Sequence, residues 1–258
     1  TDIGDDIDDA FALALLTRSP ELQLEAVTTV HGPTEARAKV ALKLLHAAGL
    51  SEVPVYAGPV GRGEGEHVPR YAPWAQAWTS TRPQEQGAVD FLISKIMAEP
   101  PGSLTLIAVG ALTNVAGALE REPAIAQRLE QVVVMAGAMY VGYRPDSPPC
   151  AEYNVACDPQ AARVVFNSGA NLLIVPLDAT RMLQPSADQL ARLQSSRDPL
   201  ARALDECLEM WGRAHPPTLF DPMAVACAID DRFVSLKPLH VEVRDDGFTV
   251  PAEDKAPN

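Results

Sequence analysis

The sequence predicts an α/β protein with a mainly parallel central sheet and helices on both faces. Three observations carry that prediction. Short runs rich in β-branched residues recur along the chain and are apolar throughout, as in strands buried on both faces. Amphipathic helical patterns separate them. The 258 residues are 47% hydrophobic and 21% charged, which supplies a sizeable core and excludes wholesale disorder.

An apolar helix carrying Phe11, Leu13, Ala14, Leu15 and Leu16 follows an acidic opening. Residues 25–30 (EAVTTV) read as a strand. Residues 35–48 place Ala36, Val40, Ala41, Leu44, Leu45 and Ala48 on one helical face, and Gly49 closes that helix. A short strand at 53–56 precedes the most irregular stretch, 58–86, which holds GRGEGE, Pro69, Pro73 and Pro83. A loop of that length reads as a lid or binding loop. Residues 87–98 then form an amphipathic helix, 104–109 (LTLIAV) a strand, 112–119 a helix and 131–135 (QVVVM) a buried strand. Asp158-Pro159, an apolar helical period and Gly169 make a complete helix signature: acidic cap, proline at the first position, glycine after the end. A strand at 172–177, helices at 186–193 and 200–211, and a late strand at 240–243 complete the pattern.

Lys plus Arg number 21 and Asp plus Glu 34, a net charge of −13. Such a surface repels phosphate backbones and anionic lipid, so neither nucleic acid nor a membrane surface is an expected partner. Cations and neutral polar molecules are. No apolar run reaches the ~18 residues of a membrane span, and the start shows no signal-peptide pattern. A cytoplasmic protein is expected. Cys150, Cys157, Cys207 and Cys227 form no C-x-x-C pair; idle thiols are favoured over a Cys150–Cys157 disulfide.

In parallel sheets the ligand sits beyond the carboxyl ends of the strands. The opening TDIGDDIDDA crowds five carboxylates into eight residues. A helix N-terminus favours one or two by ~0.3–1 kcal/mol each. Five repel one another unless a cation neutralises them. All-oxygen donors without Cys or His indicate Ca²⁺ or Mg²⁺, against a solvated acidic cap as the structural alternative. Three further polar segments fall at strand or helix ends. Thr113-Asn114 follows LTLIAV, and Thr113 also reads as a helix cap. Glu152-Tyr153-Asn154 precedes Asp158, and these also read as loop polar groups. Asp221-Pro222, taken alone, reads as a helix N-cap.

TDIGDDIDDAFAL, VGALTNVAGAL, VVVMAGA, AEYNVACDPQAARVVF and FDPMAVA, in that order, resemble the inosine-uridine preferring nucleoside hydrolases from Thr1 to about Phe233. The resemblance implies a Rossmann-like core in one domain over 1–258, with a leading strand and the C-terminal end expected outside it. It implies hydrolysis of the N-glycosidic bond of ribonucleosides, in a homo-oligomer (dimer or tetramer) serving purine and pyrimidine salvage. It implies one Ca²⁺ held by Asp2, Asp9, the main-chain carbonyl of Thr113 and Asp221. Asp8 would contact the ribose, Glu152 and Asn154 would hold sugar hydroxyls, and Asp2 would act as general base. Chemistry supports that assignment, because glycosidic cleavage builds positive charge on the sugar and carboxylates stabilise it.

Two departures from the family pattern stand out. His31-Gly32-Pro33 occupies the place of a Gly-Asn pair, and proline brings neither a side-chain donor nor an N–H. His31 is the alternative sugar contact, against a plain loop histidine. Phe220 stands where purine-cleaving members often carry a proton-donating His. Either His215 replaces that acid, or Phe220 stacks on the base with Trp74 or Trp78, or the leaving group departs without acid help. Trp74 and Trp78, four apart, also fit one apolar helical face. Rival readings are a Mg²⁺-dependent phosphate-transferring hydrolase with Asp2 as nucleophile, a sugar-binding relative with little turnover, and a hydrolase of another N-ribosyl compound.

Overall fold

The computed structural model describes residues 1–59, 68–78 and 80–258. Part of the expected lid, including GRGEGE, therefore lies outside the described residues. In chain order the elements are α1 (Asp8–Arg18), β1 (Val27–Thr29), α2 (Thr34–Ala47), β2 (Val55–Ala57), α3 (Ala72–Gln76), α4 (Ala88–Ala98), β3 (Thr105–Ala108), α5 (Thr113–Arg121), α6 (Ile125–Arg128) and β4 (Gln131–Met135). There follow α7 (Tyr153–Cys157), α8 (Pro159–Phe166), β5 (Leu172–Val175), α9 (Leu177–Thr180), α10 (Ala187–Ser195), α11 (Pro199–Trp211), α12 (Phe220–Ile229), β6 (Val241–Val243) and β7 (Thr249–Pro251). A 3₁₀ turn, Asp231–Phe233, follows α12.

The chain divides into two compact units, residues 1–87 with 182–222, and 88–181 with 223–258. In the first unit β1 and β2 pair in parallel, Val27 opposite Val55. Apolar side chains of α1, α2, α3 and α11 make its core, with Ile3, Ile7, Leu44, Leu45, Tyr71 and Leu208 nearly or fully buried. Helix α2 ends as Gly49 is predicted to end it. Gly49 adopts φ +81°, its N–H donates to the His46 carbonyl, and Leu50 N–H donates to the Leu45 carbonyl. No atom crowds the missing Cβ, so the left-handed backbone alone calls for glycine there.

In the second unit β3, β4 and β5 form a parallel sheet, Ile107 opposite Val133 and Val133 opposite Leu173. Val132, Val133 and Val134 of the central strand are all buried, as their unbroken apolar run requires. Helices α4, α5 and α8 contribute Leu92, Ile96, Leu112 (just before α5), Leu119, Val165 and Phe166 to the core around this sheet. Helix α8 starts as its signature predicts. The Asp158 carboxylate accepts from Ala161 N–H at 3.0 Å and Pro159 is the first helical residue. β6 and β7 make an antiparallel hairpin. All four cysteines are free.

Candidate active site

The acidic motif enters α1 so that Asp8 and Asp9 form its first turn, both about 5% exposed. Asp221 sits in the first turn of α12, 3% exposed, and its N–H donates to Asp8 Oδ2 at 3.3 Å. One carboxylate oxygen from each of Asp8, Asp9 and Asp221 lies within 4.8 Å of the others. Thr1 Oγ1 donates to Asp9 Oδ1. Asp2, half-buried, belongs to the same electrostatic group.

Three buried carboxylates this close disfavour ionisation in the absence of a counter-charge. Burial raises Asp8 and Asp221 well above the ordinary carboxylate range, and Asp9 on the one and Asp8 on the other raise them further. Asp9 is pushed up to about 8, first by burial and then by the charge of Asp2. Burial raises Asp2 as well, while the neighbouring Arg37 pulls it back most strongly. The donors are hard oxygens with a surplus of negative charge. That set fits a Ca²⁺- or Mg²⁺-type cation. Of the expected ligands Asp9 and Asp221 belong to the close trio, which Asp8, the expected ribose contact, completes, while Asp2 acts on Asp9 electrostatically.

His31 follows β1 with φ +66°, a left-handed conformation uncommon outside glycine, and is half-buried. Pro33, next in the same turn, precedes α2. Phe220 is the first residue of α12 and half-buried, whereas His215 is exposed. Trp74 and Trp78 do not share a helical face, because α3 stops at Gln76. The Trp74 ring lies 3.8 Å under the Lys43 ammonium, and its N–H donates to Glu206 Oε2 at 2.7 Å. Trp78 packs against the His46 ring at 4.4 Å and donates to Thr81. Both indoles thus have partners within their own unit.

The remaining expected residues lie in the second unit. Thr113 opens α5, and its hydroxyl donates to Asp158 Oδ2 at 2.7 Å. Glu152, 2% exposed, caps α7: Oε1 accepts from Asn154 N–H and Oε2 from Val155 N–H. Oε2 also accepts from Gly137 N–H at 2.9 Å, while Asn154 Nδ2 donates to the Met135 carbonyl at 3.0 Å. Glu152 and Asn154 therefore brace the loop that leaves β4. Gly137 is at φ +86°, where a Cβ would come within 2.8 Å of Thr249 Oγ1.

The burial of Arg37 and the second bond of Asp158 are not legible in the sequence. Arg37 looks like an ordinary polar position of α2 yet is 1% exposed. Asp158 is recognisable as a cap, but nothing in its spacing announces the second bond to Thr113.

A parallel α/β fold with a buried oxygen-donor cluster in the turns entering α1 and α12 defines a class of α/β proteins with a candidate cation site, and comparison with known proteins specifies the chemistry. Residues 1–256 match the family model of the inosine-uridine preferring nucleoside hydrolases. The protein of that description from Leishmania major is 32% identical over 93% of this chain and 81% of its own length. Uridine nucleosidase 1 of Arabidopsis thaliana is 30% identical over 97% of this chain and 78% of its own length. An uncharacterised protein of Schizosaccharomyces pombe is 39% identical over 76% of this chain, a match that spans 65% of that relative's length. A solved plant nucleoside hydrolase superposes with a TM-score of 0.86 at 30% identity, covering 98% of this chain and 85% of that one. A purine-preferring ribonucleoside hydrolase from Gardnerella vaginalis, 24% identical, has the same fold with a TM-score of 0.82 over 97% and 86% of the two chains. The chain belongs to the inosine-uridine preferring nucleoside hydrolase family. It is an enzyme of the class that acts on N-glycosidic bonds.

Proposed function

We propose that this chain hydrolyses ribonucleosides to ribose and free base, and that it does so with Ca²⁺. The observation that carries the reading is the buried trio Asp8, Asp9 and Asp221 in a chain matched almost end to end by the family. Asp2, Asp9 and Asp221 hold the ion, and Asp8 contacts the ribose. The Thr113 carbonyl as a further ligand, and Glu152 and Asn154 as sugar contacts, rest on the family resemblance. When bound, the ion supplies a lowered pKa for water and a fixed position for water and sugar hydroxyls.

Asp2 accepts the proton of the attacking water, a role open to a ligating carboxylate because it has two oxygens. The carboxylates stabilise the positive charge that develops on the sugar. Phe220 stacks on the base, and its lack of a proton to give favours substrates whose base leaves readily. His31, held in a left-handed turn, takes the sugar contact that Pro33 is unable to make. Trp74 and Trp78, engaged by Lys43 and His46, are weaker bearers of the base than Phe220.

Among the described residues no helix is long and apolar enough to cross a membrane. A cytoplasmic homo-oligomer in nucleoside salvage remains part of this proposal on the resemblance alone.

The test is release of free ribose from a panel of purine and pyrimidine nucleosides, with chelated protein and after adding back Ca²⁺ or Mg²⁺. Loss on chelation and recovery with Ca²⁺ are expected. Full turnover without metal overturns the metal-assisted mechanism. Binding of ribose with Ca²⁺ but no turnover of any nucleoside favours a sugar-binding relative, the reading that Pro33 and Phe220 support.

A further inference from the structure

We propose that Arg37 is the positioning residue of the acidic site: its guanidinium shapes the loop that carries Asp2 and thereby sets how tightly the site takes a divalent cation. The proposal rests on the Ca²⁺ reading above. Arg37 projects from α2 and is among the largest fully buried side chains. Its Nε donates to the His31 carbonyl at 2.7 Å. Nη1 donates to the carbonyls of Asp2 and, at 3.2 Å, Ile3. Nη2 donates to Asp5 Oδ2 at 2.9 Å.

One planar fork thus ties together the opening loop and the turn after β1. Both segments need tying. His31 is at φ +66°, and Gly4 is at φ +138°, where a Cβ would sit 2.8 Å from Pro69 Cβ. Asp5 accepts a second bond from Arg70 N–H at 3.1 Å, so the loop is gripped from two sides. A buried guanidinium costs several kcal/mol of desolvation, and an apolar side chain of similar volume would fill the space more cheaply. Three of its acceptors are main-chain carbonyls, whose directions specify loop shape. A lysine offers a point donor and would not reproduce that fork.

Charge and position predict opposite signs, which makes the idea testable. Arg37 is a cation beside the carboxylates, so its removal by charge alone would tighten Ca²⁺ binding. If it positions the loop, removal loosens binding. The experiment is titration of Ca²⁺ into chelated wild type, Arg37→Met, Arg37→Lys and a core-truncation control, Leu204→Ala, alongside the rise in thermal midpoint that Ca²⁺ produces in each. The expected result is at least a tenfold weakening in Arg37→Met, a clear weakening in Arg37→Lys despite its retained charge, and an unchanged constant in Leu204→Ala. Unchanged or tighter binding in Arg37→Met overturns the proposal. So does full wild-type affinity in Arg37→Lys, the variant to rely on if the methionine does not fold, or an equal loss in Leu204→Ala. Wild type that binds no Ca²⁺ overturns the underlying metal reading as well, an outcome separable from all the others.

Discussion

At the scale of single residues the site depends on carboxylates held where they repel one another. Asp8, Asp9 and Asp221 each place an oxygen within 4.8 Å of the other two, inside protein. Asp9→Asn removes one charge from that set while keeping the side chain's size. Ca²⁺ affinity and kcat are expected to fall together, each by at least about tenfold. Calorimetric titration and steady-state kinetics on the same preparation check this, and retention of both would remove Asp9 from the site. The crowding of aspartates at 2–9 announces such chemistry in the sequence. Which of them converge on Asp221 is not legible, because that residue enters from more than two hundred positions away and its own Asp-Pro pair looks like a simple cap. Helix α12 in fact begins at Phe220, leaving Asp221 in the first turn with its N–H on Asp8.

At the scale of elements, local signals are reliable where backbone chemistry acts alone. Strand β4 has the bounds its apolar run predicts, and α2 stops where Gly49 permits a left-handed turn. Strand β5 ends at Val175, short of the 177 expected, because Pro176 has no N–H to offer a ladder. Asp158 shows an element serving a site. It caps α8 and also holds the Thr113 hydroxyl. Asp158→Ala is expected to cost about 1–2 kcal/mol, read as a lowered denaturation midpoint at constant m-value. If Thr113 contributes its carbonyl to the ion, the same variant also weakens Ca²⁺ binding. Unchanged stability would show that the cap is dispensable.

At the scale of the whole molecule, folding buries like charges that the unfolded chain leaves in water. In the metal-free protein Asp9 keeps its proton up to about pH 8, whereas in the unfolded chain it ionises near 3.8. Across that window the folded state binds more protons. The associated stability is fully present below about pH 4 and is lost as pH rises toward 8. Asp8 and Asp221, raised in the same direction, add to the trend. The thermal midpoint of chelated protein is therefore expected to fall between about pH 5 and pH 8, and saturating Ca²⁺ to abolish the fall. A midpoint that is flat or rising in chelated protein would contradict a buried, uncompensated trio.

Sequence by itself determined the α/β class, the main strands and long helices, the acidic opening and the family, since each is written in local periodicity or in short motifs; the short helices α3, α6, α7 and α9 and strand β7 carry too little periodicity to be read. Tertiary structure alone decided that Asp8 joins Asp9 and Asp221, that Trp74 and Trp78 turn to Lys43 and His46, and that Arg37 is buried as a clamp. The reason is physical: periodicity reports which face of an element is apolar, whereas convergence of charges depends on how distant elements pack, and no local pattern encodes the partner that a buried polar group will find.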